Sequence, residues 1–520
     1  MTSFMDAWWQ LSSPDASLRS SSGKAIVSHT FPPSSPPPLA DQRYALARLL
    51  KGVCSGRGSS RQGFAAVLAV FLSRLAELPE DEQRAILDPK AAGPDEPTEG
   101  GPDEPTGGGP EEDAPPLRIL LSRIVSHTVA PAGSKGSDSR DAQFGRLFAL
   151  LAVGRSSLLS SAPAAEAAPF VKAALALFGE KRWMRETAAQ AAAALHASLG
   201  EEARAAVLES TLRPFLARNP PAGCVDCLAL QLRLEPAALT PALLLSSLPL
   251  LSATTAAFPR LHSVWPALLP LLPPPLLATL SERLLEPLAS STHERKALPL
   301  LLLPLLLSLP SATAEHARAL LSQPVARLLL NAGSKDTKNP HTLQPLAESC
   351  LASLKPLLLA APPSLRLAVA SALLRADAKF DAKTRTDTVA ACLGSLGEEG
   401  RLEYVDFLVG EALAAAAAAA EPVAEGVDGE EAERKLALRC GNAADALLAA
   451  ARMFLPRGQR PGDGEAREEE ERLTPVVGRI HAFLMAGAFF DCGAVEAPGP
   501  KAEKKKGKKG KKAPAPPPPP

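Results

Sequence analysis

Phe258 to Pro310 constrains the fold more than any other stretch of the chain. It reads FPRLHSVWPALLPLLPPPLLATLSERLLEPLASSTHERKALPLLLLPLLLSLP. Leucine runs are broken by proline every few residues, and two short polar signatures, PRLHSVW and SSTHERK, interrupt them. Ser291 followed by Glu294 predicts a capping box and a helix starting near Thr292. Pro299 and Pro304 lack amide donors and predict a kink or division in that helix. A helix that is apolar nearly all round must be covered on several sides. Because the flanking segments look alike, helices covering one another are the simplest arrangement.

Composition points the same way. Apolar residues make up 46% of the 520 residues but aromatics only 4%, so the core must be mainly Leu, Ala and Val. Leu and Ala are strong helix formers, whereas aromatic and β-branched residues favour strands. The predicted class is all-α, an α-solenoid of armadillo- or HEAT-like helix pairs, whose periods are about 40 to 47 residues. Lys+Arg and Asp+Glu both number 56, so attraction to nucleic acid must be local. The seven scattered cysteines suit reduced intracellular thiols, not a secreted disulfide scaffold. MTSFMDAWWQLSSPD has no secretory pattern.

Residues 236–259 and 261–281 carry no charge and are long enough to span a bilayer. They also contain Pro236, Pro241, Pro249, Pro266, Pro270 and the Pro273–Pro275 run. Lipid cannot satisfy the carbonyls those prolines release, so buried helices are expected and no membrane partner.

Along the chain, residues 1–90 read as N-terminal helical repeats. Ser12 or Ser13 is the expected cap of a second helix, with Pro14 in its first turn. Residues 40–78 predict a helix pair. One face carries Tyr44, Leu46, Leu49 and Leu50; the next carries Phe64, Val67, Leu68, Phe71, Leu72 and Leu75. Residues 91–116, with GPDEPT twice, predict an acidic disordered loop. Helix pairs are expected over 117–413, beginning with 117–129, 141–159, 169–177 and 181–199. An Ala-rich and acidic linker follows at 414–432, then closing helices over 433–492 with a charged loop at 456–471. Residues 493–520 form a lysine- and proline-rich tail expected to be disordered.

No catalytic constellation emerges. Cys224 and Cys227 form a C-x-x-C without the second ligand pair a zinc site needs, and read as ordinary helix cysteines. His293 and Glu294 lack the second histidine of a zinc-protease helix, since that position is Ala297. His262 and Trp265, one turn apart, read as packing. No phosphate-cradling loop, dinucleotide fingerprint or nucleophile elbow is present. Nucleotidyl transfer needs carboxylates fixed around metal ions, yet Asp95-Glu96, Asp103-Glu104, Glu111–Asp113 and Glu468–Glu471 lie in segments expected to be disordered. The reading is therefore no enzyme, no cofactor, no metal and no small-molecule substrate. The strongest functional signal is the tail: Lys501, Lys504, Lys505, Lys506, Lys508, Lys509, Lys511 and Lys512. Such a run suits nuclear import and phosphate contact with DNA or RNA.

Several blocks resemble the Myb-binding-protein/DNA polymerase phi family, in its order. They are Phe4–Arg19, Arg43–Phe64 (with Arg43 and Tyr44), Phe144–Leu159 and Lys181–Leu195 (with Trp183, Arg185 and Glu186). PRLHSVW comes next with His262 and Trp265, then STHERK with His293, Glu294, Arg295 and Lys296. Lys379–Val389 (with Phe380, Asp381 and Thr384) and His481–Phe490 complete the series. These motif residues are expected to be structural. The resemblance implies a helical-repeat fold and a nuclear, nucleolar location. It also implies roles in ribosomal-RNA gene transcription, transcriptional co-regulation and ribosome biogenesis. Partners would be proteins of the transcription or ribosome-assembly machinery, with rDNA or RNA contacted by the tail. Family members continue through an acidic region into a further helical half; here a lysine/proline tail is expected to end a short form or incomplete product.

Overall fold

A computed structural model describes residues 4–32, 39–88, 114–130, 136–335, 342–377, 379–397 and 400–410. Most of the acidic loop, the Ala-rich linker, the closing helices, the tail lysines and every acidic pair named above lie outside them. Among the described residues every regular element is helical. The chain divides into two units: Met1–Ala360 with Ala382–Thr386, and Ala361–Asp381 with Asp387–Pro520.

The first unit opens with α1 (Phe4–Gln10) and α2 (Ala16–Thr30). The cap of α2 is Asp15, not Ser12 or Ser13. Its carboxylate accepts from the Ser17 amide at 2.8 Å, and a negative group there also meets the positive end of the helix. Then come α3 (Leu39–Gly52) and α4 (Gly58–Leu75), the pair expected from periodicity. Their predicted core face is buried except at Tyr44, which is 40% exposed. Tyr44 instead accepts a 2.7 Å hydrogen bond from Arg48 and meets the edge of the buried Trp8 ring.

The chain continues with α5 (Glu80–Leu87), α6 (Pro116–His127), α7 (Gly136–Arg155), α8 (Ala164–Glu180) and α9 (Arg185–Ala197). Ala188, Ala189, Ala191, Ala192 and Ala193 make α9 narrow and buried on several sides. It packs against α7 and α8. A β-carbon at Gly154 of α7 would lie 2.6 Å from the Leu195 nitrogen, so only glycine permits that approach.

Prolines shape the middle of the first unit. α10 (Glu201–Val207) and α11 (Arg213–Arg218) flank a wide π turn at Leu208–Leu212. Beyond them lie α12 (Val225–Leu234), α13 (Pro241–Ala253), α14 (Val264–Leu268), α15 (Pro274–Leu280) and α16 (Glu286–Ala289). A second π turn, Ser281–Leu285, separates the last two. Both π turns end just before a proline, Pro214 and Pro287. A proline ring clashes with the carbonyl four residues back, and a widened turn removes the clash. Pro241, Pro274 and Pro363 sit at helix starts, where the missing donor costs nothing, whereas Pro169, Pro249 and Pro356 lie inside α8, α13 and the later helix Gln344–Ala360.

The Leu-rich helix α17 (His293–Leu307) starts where expected, with a different cap, and of the kink or division expected at its prolines the division does not occur. Its cap is Thr292 with no side-chain cap bond, so the Ser291–Glu294 box does not form. Pro299 and Pro304 also sit inside one continuous helix, which they do not divide. Pro299 is itself buried with Leu298, Leu300, Leu302, Leu303, Leu306 and Leu307; covering neighbours hold the helix together despite two missing backbone bonds. A reciprocal capping box appears instead at Thr313 and His316 of α18 (Ala314–Leu320). The unit ends with α19 (Gln323–Gly333) and α20 (Gln344–Ala360). The second unit contains α21 (Pro363–Ala376) packed on α23 (Thr388–Gly394). A short α22 (Phe380–Thr384) precedes α23.

Helix contacts within the first unit are local in sequence. One series runs α2 to α4, α4 to α7, α7 to α9, α9 to α12 and α12 to α14. A companion series runs α3 to α5, α5 to α6, α6 to α8 and α8 to α10. Later, α15 packs on α18, α16 on α19 and α17 on α20. One contiguous apolar core extends from Ala7 to Leu230. The charge-free stretches 236–259 and 261–281 are cut into short helices and 3-10 turns. Among the described residues no helix is long and apolar enough to cross a membrane.

Candidate functional site

A polar cluster surrounds the PRLHSVW loop, which enters α14 after a cis Phe258–Pro259 peptide. Helices α9 and α12 pack together, and each carries a carboxylate in its first turn, Glu186 and Asp226. That position favours negative charge. Glu186 receives both Nη atoms of Arg260, at 2.7 and 2.5 Å, and the Ser263 amide at 2.8 Å. Arg233 of α12 donates to the Ser263 carbonyl at 3.0 Å. His262 is nearly buried. Its Nδ1 accepts from the Val264 amide at 3.1 Å, so the ring proton belongs on Nε2, which lies 3.1 Å from Asp226 Oδ1. Nε2 is 3.8 Å from Glu186 Oε2.

Burial works to raise the Glu186 pKa. Arg260, His262 and the Ser263 amide outweigh it and hold the carboxyl at about 2. Glu186 is therefore ionised at neutral pH and saturated with donors. With both His262 nitrogens engaged, the cluster offers neither a free base nor a free acid. It fastens the loop to two helices. Trp265, at the start of α14, is fully buried and donates from Nε1 to Thr254 Oγ1 at 3.0 Å.

The other family-motif residues are spread through the fold. Arg43 donates to the Ala85 carbonyl at 2.9 Å, while Arg123 of α6 reaches the Ile86 and Leu87 carbonyls. Two guanidiniums thus meet the carbonyl end of α5, where positive charge is favoured. Burial lowers the Arg123 pKa first, and nearby Arg43 adds to this. Trp183 is 45% exposed and packs on Phe144, which also lies under the Arg61 guanidinium. Arg185 lies over the Phe178 ring. His293 pairs with Thr342 at 2.8 Å and meets the Phe258 ring edge-on. Glu294 and Arg295 are exposed, and Lys296 is half-buried.

In the second unit Phe380 is fully buried, and Asp381 accepts from the Val389 and Ala390 amides at the start of α23. Thr384, in the first unit, is buried and pairs with Thr386. Only Glu186 and His262 of the expected motif residues are brought into one polar cluster. Asp226, Arg233 and Arg260 complete it and were not singled out from sequence. Asp226 lies inside the C-x-x-C and Arg260 inside PRLHSVW, but nothing local tells that Arg233 reaches this loop.

Among the described residues no group of three or more His, Cys, Asp or Glu could hold a metal ion. A groove of about 700 Å³ runs between α2 and α4. Val27, Val67 and Val70 supply apolar surface, and Arg19, Lys24 and Arg74 supply positive charge. No Asp, Glu, His or Cys lines it.

A sequence model of the DNA polymerase phi family matches residues 44–517. The chain belongs to the DNA polymerase phi family. Among its relatives, the rDNA transcriptional regulator pol5 of Schizosaccharomyces pombe is 25% identical over 184 residues. That alignment covers 35% of this chain and 15% of the yeast protein. A crystallised engineered protein aligns with 91% of this chain and 98% of its own, at 14% identity and a TM-score of 0.24. In this DNA polymerase phi family member the motif side chains within the described residues act mostly as packing anchors and inter-helix ties.

Proposed function

We propose that this chain is a noncatalytic scaffold in rDNA transcription, acting in the nucleolus. Its helix pairs form an α-solenoid whose outer surface holds proteins of the transcription or ribosome-assembly machinery. Its lysine tail contacts rDNA or RNA. The carrying observation is the family match over residues 44–517, taken with a relative that is an rDNA transcriptional regulator. The serial helix contacts support the solenoid reading, because repeats that touch mainly their neighbours give such arrays. The saturated Glu186–His262–Asp226 cluster and a groove without acid–base groups support binding over chemistry.

Two measurements test this. Binding of the whole chain to duplex DNA is expected to fall about a thousandfold between roughly 50 and 200 mM salt. Deleting residues 501–520 should remove that salt-sensitive component and release the protein from nucleoli; unchanged affinity and location would refute the tail's role. The family name raises a second reading, template-dependent polymerisation. Primer extension with magnesium is expected to give no product above background, whereas synthesis abolished by one carboxylate substitution would replace the scaffold reading.

A further inference from the structure

The C-x-x-C motif has a geometry that the scaffold function does not use. Cys224 is the N-cap of α12, with extended backbone, and its carbonyl accepts the first helical bond from Leu228 at 2.9 Å. Cys227 is three residues on, in the first turn, and fully buried. Cys224 is half-buried, and both are free thiols. Positions one turn apart share a helix face, with β-carbons about 5–6 Å apart. A disulfide draws the β-carbons in to about 3.5–4.5 Å; the two thiols already face each other, and Cys224, with extended backbone outside the first helical turn, is the end that can make that small shift without unwinding the helix. The Cys224 thiol lies 3.9 Å from Asp226 Oδ2.

We propose that Cys224 and Cys227 are a redox-active dithiol that low-molecular-weight disulfides oxidise to an intrachain disulfide. Access and burial set the order of the two steps. The Cys224 thiolate, at the reachable end of the helix, attacks one sulfur of glutathione disulfide. A mixed disulfide forms at Cys224 and one glutathione thiolate leaves. Cys227 then loses its proton to solvent and attacks the Cys224 sulfur, expelling the second glutathione thiolate. The two protein thiols lose two electrons and two protons, and the small disulfide is reduced to two thiols.

The local electrostatics support that assignment. The Cys227 thiol facing Cys224 lowers the Cys224 pKa; burial opposes this, and the Cys227 amide adds to the lowering. Cys227 is pushed up, by Cys224 first and then by burial, while Arg185 offsets part of the rise. An accessible low-pKa thiol at a helix start paired with a buried high-pKa partner is the arrangement of attacking and resolving thiols. Cys350 and Cys392, both buried, are pushed up by burial to about 12 and about 11 and have no such partner role.

The test uses the full chain, reduced and then exposed to glutathione disulfide at neutral pH. Free thiols are blocked with iodoacetamide, and the tryptic peptide Asn219–Arg233, which holds both cysteines, is weighed. The expected peptide is short of two hydrogens, resists alkylation and recovers both thiols after dithiothreitol. In Cys227→Ser the reaction should stop at glutathione bound to Cys224. Full alkylation of both wild-type cysteines after oxidant would overturn the proposal. So would a glutathione adduct on Cys224 that the wild type never resolves. The wild-type readout decides even if the variant misfolds.

Discussion

Trp265→Ala is expected to destabilise the first unit by about 3–5 kcal/mol, the range for emptying a large buried aromatic site. Trp265 has no exposed surface and anchors the start of α14, which packs on α12. Its loss removes the indole's dispersion contacts and leaves a void that a short, proline-bounded helix closes poorly. Trp265→Phe keeps most of the ring but loses the bond to Thr254, and should cost about 1 kcal/mol from that bond. Thermal unfolding followed by far-UV circular dichroism, with hydrogen exchange to localise the change, checks both. A loss below about 1 kcal/mol for the alanine variant would mean the site repacks around the gap.

Glu186→Ala should rank next, at about 1–3 kcal/mol, because it leaves the Ser263 amide without its acceptor and removes the charge that pairs with Arg260, while His262 keeps Val264 and Asp226. Its pH dependence has a definite sign. The folded pKa is about 2 against an ordinary 4.5. A carboxyl depressed on folding adds stability that is complete above the unfolded value. That contribution declines as pH falls from about 4.5 towards 2; at one pKa unit per 1.36 kcal/mol its ceiling is about 3 kcal/mol, and solvent around the exposed Arg260 guanidinium screens it to about 1–2 kcal/mol. Glu186→Gln keeps an oxygen for the Ser263 amide but has no charge to titrate. Its stability relative to wild type should therefore converge as the pH falls from 5 to about 2. A gap between the two proteins that stays constant over that window would show that the Arg260 pairing contributes little.

The helices themselves were legible because their signals are local. Leu46, Leu49 and Leu50, and Phe64, Val67, Leu68, Phe71 and Leu72, repeat at helical spacing, and all are buried as expected. Tyr44 broke that pattern because periodicity assigns a face but not a neighbour. Its hydroxyl is served by Arg48 at the surface while Trp8 takes the core position. The Ser291–Glu294 box failed for a related reason. The motif states which bonds a cap can make, but the helix begins one residue later, at His293. Prolines were expected to kink or divide α17; the helix is not divided and carries Pro299 and Pro304 inside it, whereas Pro214 and Pro287 come after widened turns. A proline removes the same donor in either setting, and surrounding packing selects between the two outcomes.

Sequence alone determined that the described residues are helical and that residues 40–78 hold a helix pair, since propensity and apolar spacing are properties of short stretches. Tertiary structure alone decided that Glu186 grips Arg260 across 74 positions, that Asp226 meets His262 across 36, and that Cys224 stays accessible above a buried Cys227. Those pairings depend on how α9, α12 and the PRLHSVW loop come together, and no periodicity within a single helix encodes the distance between different ones.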